Sequence, residues 1–192
     1  KKSFHLGFGI ETDVHATRDQ KFICFHDFTL NRMFKKNLSI KNLDYSSIKK
    51  ISIINKKPIS LIEEVLFASK NKYPILIELK PTFSTKLLKK LLRKCSKYSK
   101  CIFISFKHNN IYRLLRIKSN INVGLSFACN TSIKKIVQKS KNPKIKFLVL
   151  DKTFLNKKKI EKLKIGKFFY TIKKKRDFKK YNRNNNLIFE NL

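Results

Sequence analysis

Acidic residues are scarce in this chain: 12 Asp and Glu stand against 46 Lys and Arg, a formal net charge of +34 over 192 residues. No basic tail and no RNA-binding aromatic motif accompanies that charge. Lysines recur instead in nearly every segment between apolar runs, as at Lys35-Lys36, Lys49-Lys50, Lys89-Lys90, Lys134-Lys135, Lys157 to Lys159 and Lys173 to Lys175. Charge spread in this way, with abundant Ile, Asn and Phe, fits a compositional bias better than a nucleic-acid-binding face, for which basic residues cluster. Its residual consequence is a positive field that attracts anions. Long apolar runs are missing too, and nothing approaches the ~20 residues that span a bilayer. The four cysteines, Cys24, Cys95, Cys101 and Cys129, show neither Cys-x-x-Cys nor zinc spacing. They are expected to be buried free thiols, which favours a reducing, cytoplasmic location.

Against so few acids, one cluster stands out. Four of the twelve, Glu11, Asp13, Asp19 and Asp27, lie between Gly9 and Arg32. Ile10, Thr12 and Val14 alternate with Glu11 and Asp13, so on a strand both carboxylates project from one face while their neighbours pack behind. Two carboxylates held that close repel each other. A hard divalent cation such as Mg²⁺ or Ca²⁺, which takes oxygen ligands, would relieve the repulsion; a plainly solvated strand face is the alternative reading of the same residues. Phe22 to Phe25 is an apolar run ending in His26-Asp27. A histidine at a strand end can exchange protons near neutral pH or be merely hydrogen-bonded there.

Lys1 to Leu6 has the character of a helix end with Gly7 as its cap. Residues 33 to 59 are polar and lysine-rich, with weak apolar spacing at Leu38, Leu43, Ile48, Ile51 and Ile53, and little chemistry is expected there. Ser60 followed by Glu63 predicts a capping box opening a helix. Pro74 to Pro81 is a short apolar strand that becomes charged at its carboxyl end, where Glu78 and Lys80 share a face; a simple ion pair is the plain reading. Leu87, Leu88, Leu91, Leu92 and Cys95 have helical spacing. Cys101 to Phe106 reads as the next strand, and helix and strand alternate from there to Phe168–Ile172 and a last strand at Leu187–Glu190, with Asn182 to Asn186 as a loop. That is the rhythm of a parallel α/β sheet.

Glu11-Thr12-Asp13-Val14 followed after a turn by His26-Asp27-Phe28-Thr29-Leu30-Asn31-Arg32 resembles the signature of the glycerophosphodiester phosphodiesterase family. The Pro-x-Ser-x-x-Glu-Glu-Val-Leu run at residues 58–66 and the Ile-Glu-Leu-Lys strand at residues 77–80 are similar to that family as well. The resemblance implies a (β/α)8 barrel, one domain across residues 1–192 with a loop insertion at about 33–59, that hydrolyses glycerophosphodiesters to glycerol 3-phosphate and an alcohol. It implies a divalent metal, Mg²⁺ or Ca²⁺, on Glu11, Asp13 and Glu78, with His26 as catalytic acid/base and Lys80 on the phosphate. Tyr170, in Tyr-Thr-Ile-Lys where the family has Trp-Thr-Val-Asn, would flank the substrate or be a core aromatic. His5 and His15 are expected to be solvated or supporting residues.

Two departures qualify the match. Gln20 stands where the family has a turn glycine, and the family's His-Arg-Gly motif is absent. The chain is therefore expected to be a fragment, a barrel without its first strand, lacking one acid/base histidine and inactive by itself. Two other readings stay open: the same fold acting on a lysophospholipid or another phosphodiester, and a non-catalytic basic protein bound to nucleic acid or anionic membrane. The partner expected is a small phosphodiester, with no specific nucleic acid and weak attraction to anionic membrane surfaces.

Overall fold

A computed structural model describes residues 2–174, 178 and 185–190. The chain falls into two compact units, residues 1–102 and 103–192.

The first unit opens with α1 (Lys2–His5), whose Phe4 is buried and stacks on Tyr73 at 5.6 Å. Gly7 ends that turn at φ +81°. Gly9 is required by a close approach: a Cβ there would lie 2.5 Å from the Pro74 carbonyl oxygen. The Ile10 N–H donates to the same oxygen at 3.1 Å, which starts β1 (Ile10–Ala16). β1 runs parallel to β3 (Ile75–Leu79), with Glu11 opposite Leu76 and Asp13 opposite Glu78.

On its other edge β1 pairs antiparallel with β2 (Phe22–Cys24), Val14 against Cys24 and Ala16 against Phe22. A tight turn folds β2 back on it: the Thr17 N–H donates to the Lys21 carbonyl at 2.9 Å, the Lys21 N–H to Thr17 Oγ1 at 2.9 Å, and Gln20 takes the left-handed conformation at φ 58°.

The segment 33–59 is not a featureless loop. It carries the end of α2 (Asn31–Phe34), a 3₁₀ turn at Ile40–Asn42 and α3 (Tyr45–Ile54). Its apolar residues are few, but Leu30, Phe34, Ile40, Ile48 and Ile59 meet Ile23 and Phe25 in one buried cluster. Burial of such side chains contributes roughly 1.5–3 kcal/mol each, enough to order a lysine-rich segment. Asp19 ties the turn to α3, its Oδ1 accepting the Tyr45 N–H at 3.0 Å.

α4 (Ile62–Ser69) begins one step later than the expected Ser60–Glu63 box. The Ser60 carbonyl accepts from Cys24 N–H at 2.8 Å, and Leu61 bridges to Ile23, so both are held extended. The Leu61 N–H then donates to Glu64 Oε2 at 3.1 Å, and Glu63 pairs with Lys94 of α5 (Thr85–Cys95).

β4 (Cys101–Ser105) begins at the end of the first unit and runs into the second. There it pairs in parallel with β5 (Val123–Phe127), which pairs with β6 (Phe147–Asp151), then β7 (Gly166–Ile172), then β8 (Asn186–Phe189). The connections carry α6 (His108–Ile117), α7 (Ile133–Ser140) and α8 (Lys158–Glu161). β4 and β5 are buried at every position, as parallel strands covered on both faces are. The expected loop Asn182 to Asn186 lies largely outside the described residues, and Asn186 itself opens β8. All four thiols are free; Cys95 and Cys101 are buried, but Cys24 is half-buried and Cys129, in the turn after β5, is exposed. Among the described residues no helix is long and apolar enough to cross a membrane.

Candidate active site

The pairing of β1 with β3 dictates the first half of the site. Period-two alternation puts Glu11 and Asp13 on one face of β1, and the parallel register sets Glu78 directly beside Asp13. Carboxylate oxygens of Glu11, Asp13 and Glu78 all lie within 4.8 Å of one another. Two oxygens bound to one hard cation at ~2.0–2.6 Å sit at most ~5 Å apart, so the three fit a common ion in spacing as well as in chemistry.

Their electrostatics point the same way. Glu11 Oε1 is buried with no hydrogen-bond partner. Burial, then the charges of Asp13 and Glu78, push the Glu11 carboxyl up to about 8. Burial also raises Glu78, against the hydrogen bond from Lys80. A buried, unpartnered carboxylate oxygen is costly, and a divalent ion held by this set would satisfy it.

Lys80 follows β3 and reaches back over it. Its Nζ donates to Asp13 Oδ1 at 2.7 Å and to Glu78 Oε1 at 2.9 Å. Burial pulls the Lys80 ammonium down, but the two carboxylates outweigh that and hold it above its ordinary value. The Glu78–Lys80 pair read from the sequence is thus real, and it is buried, with only 18% of the lysine side chain exposed.

The second half of the site lies just past the end of β2. The Phe25 N–H donates to the Asp13 carbonyl at 2.9 Å, which fixes where the chain leaves the ladder. His26 follows with its side chain 64% exposed. Its Nδ1 is 2.7 Å from Asp27 Oδ1, while Asp27 Oδ2 accepts from Arg32 Nε at 2.6 Å. The Arg32 hydrogen bond, with further help from the His26 contact and both charges, holds the Asp27 carboxyl below its ordinary value against burial, which raises it.

Asp27 and Arg32 have no role in the reading of the sequence alone. The available signal was an acid next to the histidine with an arginine five residues on. His15, expected solvated or supporting, is buried: its Nε2 lies 3.4 Å from the His26 carbonyl and its ring meets Phe28 edge-on at 5.0 Å. Burial lowers its pKa, the His26 carbonyl opposing, so it stands as a neutral prop under the His26 backbone. His5 is exposed on α1.

Tyr170 belongs to the second unit. Its hydroxyl donates to the Phe127 carbonyl at 2.9 Å and its ring meets Phe106 edge-on at 5.9 Å. Nearby His108 is likewise engaged, with Nε2 3.0 Å from the Ser126 carbonyl.

The fold has close counterparts among solved structures. A glycerophosphodiester phosphodiesterase from Thermotoga maritima is 22% identical and superimposes with a TM-score of 0.81, covering 98% of this chain and 84% of that one. One from Parabacteroides distasonis is 16% identical with a TM-score of 0.76, covering 98% and 82%. A phosphodiesterase from Oleispira antarctica, solved in complex with the product sn-glycerol-3-phosphate, is 16% identical with a TM-score of 0.80, covering 95% and 80%. No curated protein matches the sequence. Residues 6–187 match the family model for glycerophosphoryl diester phosphodiesterases, a span that takes in Glu11, Asp13, His26, Glu78 and Lys80. The chain belongs to the glycerophosphoryl diester phosphodiesterase family.

Proposed function

We propose that the protein hydrolyses glycerophosphodiesters to glycerol 3-phosphate and an alcohol, with Mg²⁺ or Ca²⁺ held by Glu11, Asp13 and Glu78. The observation that carries this reading is the meeting of those three carboxylates, one with a buried unpartnered oxygen, beside the Lys80 ammonium. Family membership and the glycerol 3-phosphate complex of the Oleispira relative support the choice of substrate.

Hydrolysis adds water across the P–O bond and releases an alkoxide that must take up a proton. Charge accumulates meanwhile on the phosphoryl oxygens. A divalent ion bound to the triad supplies Lewis-acid stabilisation of that charge. Lys80 adds an ammonium donor to a non-bridging oxygen. His26 moves the proton: with Nδ1 held by Asp27, its Nε2 is the nitrogen that faces chemistry, accepting a proton from water or delivering one to the leaving oxygen. Arg32 keeps Asp27 in place and ionised. On its motif alone, Tyr170 is proposed to flank the substrate.

The test is release of glycerol 3-phosphate from glycerophosphocholine, with and without chelator and with Mg²⁺ or Ca²⁺ added back. Any release should need the ion, and release unaffected by chelator overturns the reading; no release by this chain alone agrees with the absent His-Arg-Gly histidine, and calorimetric titration of the ion onto Glu11, Asp13 and Glu78 then carries the test. Lysophosphatidylcholine in parallel, assayed for free choline, separates the lysophospholipid alternative.

A further inference from the structure

Two of the three carboxylates assigned to the ion are already engaged. Lys80 Nζ lies 2.7 Å from Asp13 and 2.9 Å from Glu78, and the three side chains are only 18%, 15% and 10% exposed. Asp13 and Glu78 stand at the same register on neighbouring strands, where like charges directly opposite are destabilising. Screening by solvent is weak at such burial. The Lys80 ammonium bridging them offsets that repulsion. Glu11, the third carboxylate, has no such partner for its buried oxygen.

From this we infer that Lys80 is the resident counter-ion of the site: in the ion-free protein it holds Asp13 and Glu78 in ligating position, and an incoming divalent cation must compete with it. The inference rests on the reading of Glu11, Asp13 and Glu78 as the ion's ligands. Two consequences follow. Lys80 lowers the affinity for the ion while raising the stability of the ion-free fold. It also turns towards a phosphate oxygen only when its carboxylate partners are neutralised by something else, so the same side chain serves apo stability and substrate contact in alternation.

The experiment compares the wild type, Lys80→Met and Lys80→Arg of the full chain, by calorimetric titration with Mg²⁺ and with Ca²⁺ and by thermal unfolding in EDTA and at saturating ion. Removing a nearby positive charge from a poorly screened site should tighten ion binding about tenfold or more in Lys80→Met. That variant should also melt several degrees lower in EDTA, a deficit that narrows at saturating ion. Lys80→Arg, which keeps the charge, should bind within about threefold of the wild type on the same electrostatic argument. Equal or weaker binding by Lys80→Met, with the wild type binding normally, overturns the inference alone. A Lys80→Met chain still unfolded at saturating ion overturns it too, since the lysine would then be needed for packing. A wild type that binds neither ion overturns the metal reading and this inference with it.

Discussion

Two groups of ion pairs make up the candidate site, and they differ in burial. Lys80, Asp13 and Glu78 are drawn into the protein, with Glu11 beside them. His26, Asp27 and Arg32 sit at its edge, with the histidine and arginine side chains 64% and 66% exposed. Charges in the first group act at low effective dielectric, where breaking a pair costs ~3–5 kcal/mol. Those in the second are surface interactions worth ~0–1 kcal/mol. The buried group therefore couples chemistry to folding, and the exposed group is free to do chemistry at little cost in stability. The division suits their tasks: holding an ion requires a preset cage, whereas passing a proton requires reach towards a substrate.

The buried side should break most visibly with pH. The folded pKa of Glu11, about 8, lies above its ordinary 4.5. Between those values the folded protein keeps a proton that the unfolded chain has released. The linkage sign is then a loss of stability as pH rises from 4.5 to 8, levelling off above, at up to ~1.4 kcal/mol per unit. In chelator Glu11→Gln, which cannot ionise, should remove most of that slope and exceed the wild type by a few kcal/mol at pH 8. Urea unfolding at pH 5 and pH 8 measures it, and parallel profiles for the two proteins would refute the buried charge.

On the exposed side the matching change is His26→Ala. It should lower turnover of glycerophosphocholine by ~10²-fold, about 2.7 kcal/mol in the barrier, while ion affinity and melting temperature stay near wild type. A comparable loss of ion affinity would place His26 among the ligands and dissolve the contrast.

Strand periodicity alone fixes which residues share a face, while the family resemblance is what joined them and His26 into one site. Glu11 with Asp13, and Glu78 with Lys80, needed nothing more. The adjacency of Asp13 and Glu78 came from the family resemblance and not from periodicity, since the register between strands some 65 positions apart is set by packing. The helices within 33–59 were hidden for a related reason: each short element gives only one buried residue to the cluster, Phe34, Ile40 or Ile48, and the cluster exists only when Ile23 and Phe25 supply its floor. The capping box failed because Ser60 and Leu61 are held against β2, a tertiary contact that outweighs a local preference. Asp27 was read beside His26 but without a role, because whether the two side chains meet depends on where the strand stops. The strand ends at Cys24, so beyond it His26 and Asp27 are able to turn towards each other.

That last pair gives a finer cut through the exposed group. Asp27→Asn keeps shape but loses the charge that steadies His26 Nδ1, and kcat should fall about tenfold with KM little changed. Arg32→Gln, one contact further out, should cost about threefold by the same reasoning. Both should leave stability within ~0.5 kcal/mol, as exposed pairs do. Kinetics and urea midpoints of the two variants read this directly, and a large drop in stability would show that the edge is as coupled to folding as the cage.

The smallest expected effect falls on the turn that joins the two groups. Gln20 sits at φ 58° between β1 and β2, where an L side chain is strained and glycine is not. The left-handed conformation costs a non-glycine residue ~1–2 kcal/mol, while glycine there adds ~0.4–1 kcal/mol of unfolded-chain freedom. Gln20→Gly should thus stabilise by about 0.5–1 kcal/mol, the difference of those two effects. The turn's own hydrogen bonds, between Thr17 and Lys21 and from Thr17 Oγ1 to Asp19 at 2.6 Å, do not involve the Gln20 side chain and should persist. Neither the carboxylates nor His26 is touched, so ion affinity and turnover should both stay unchanged while the urea midpoint rises. A rise in midpoint accompanied by lost turnover would mean that the turn's strain sets the position of His26 relative to the carboxylates. The exposed group would then depend on backbone conformation as strongly as the buried group depends on charge.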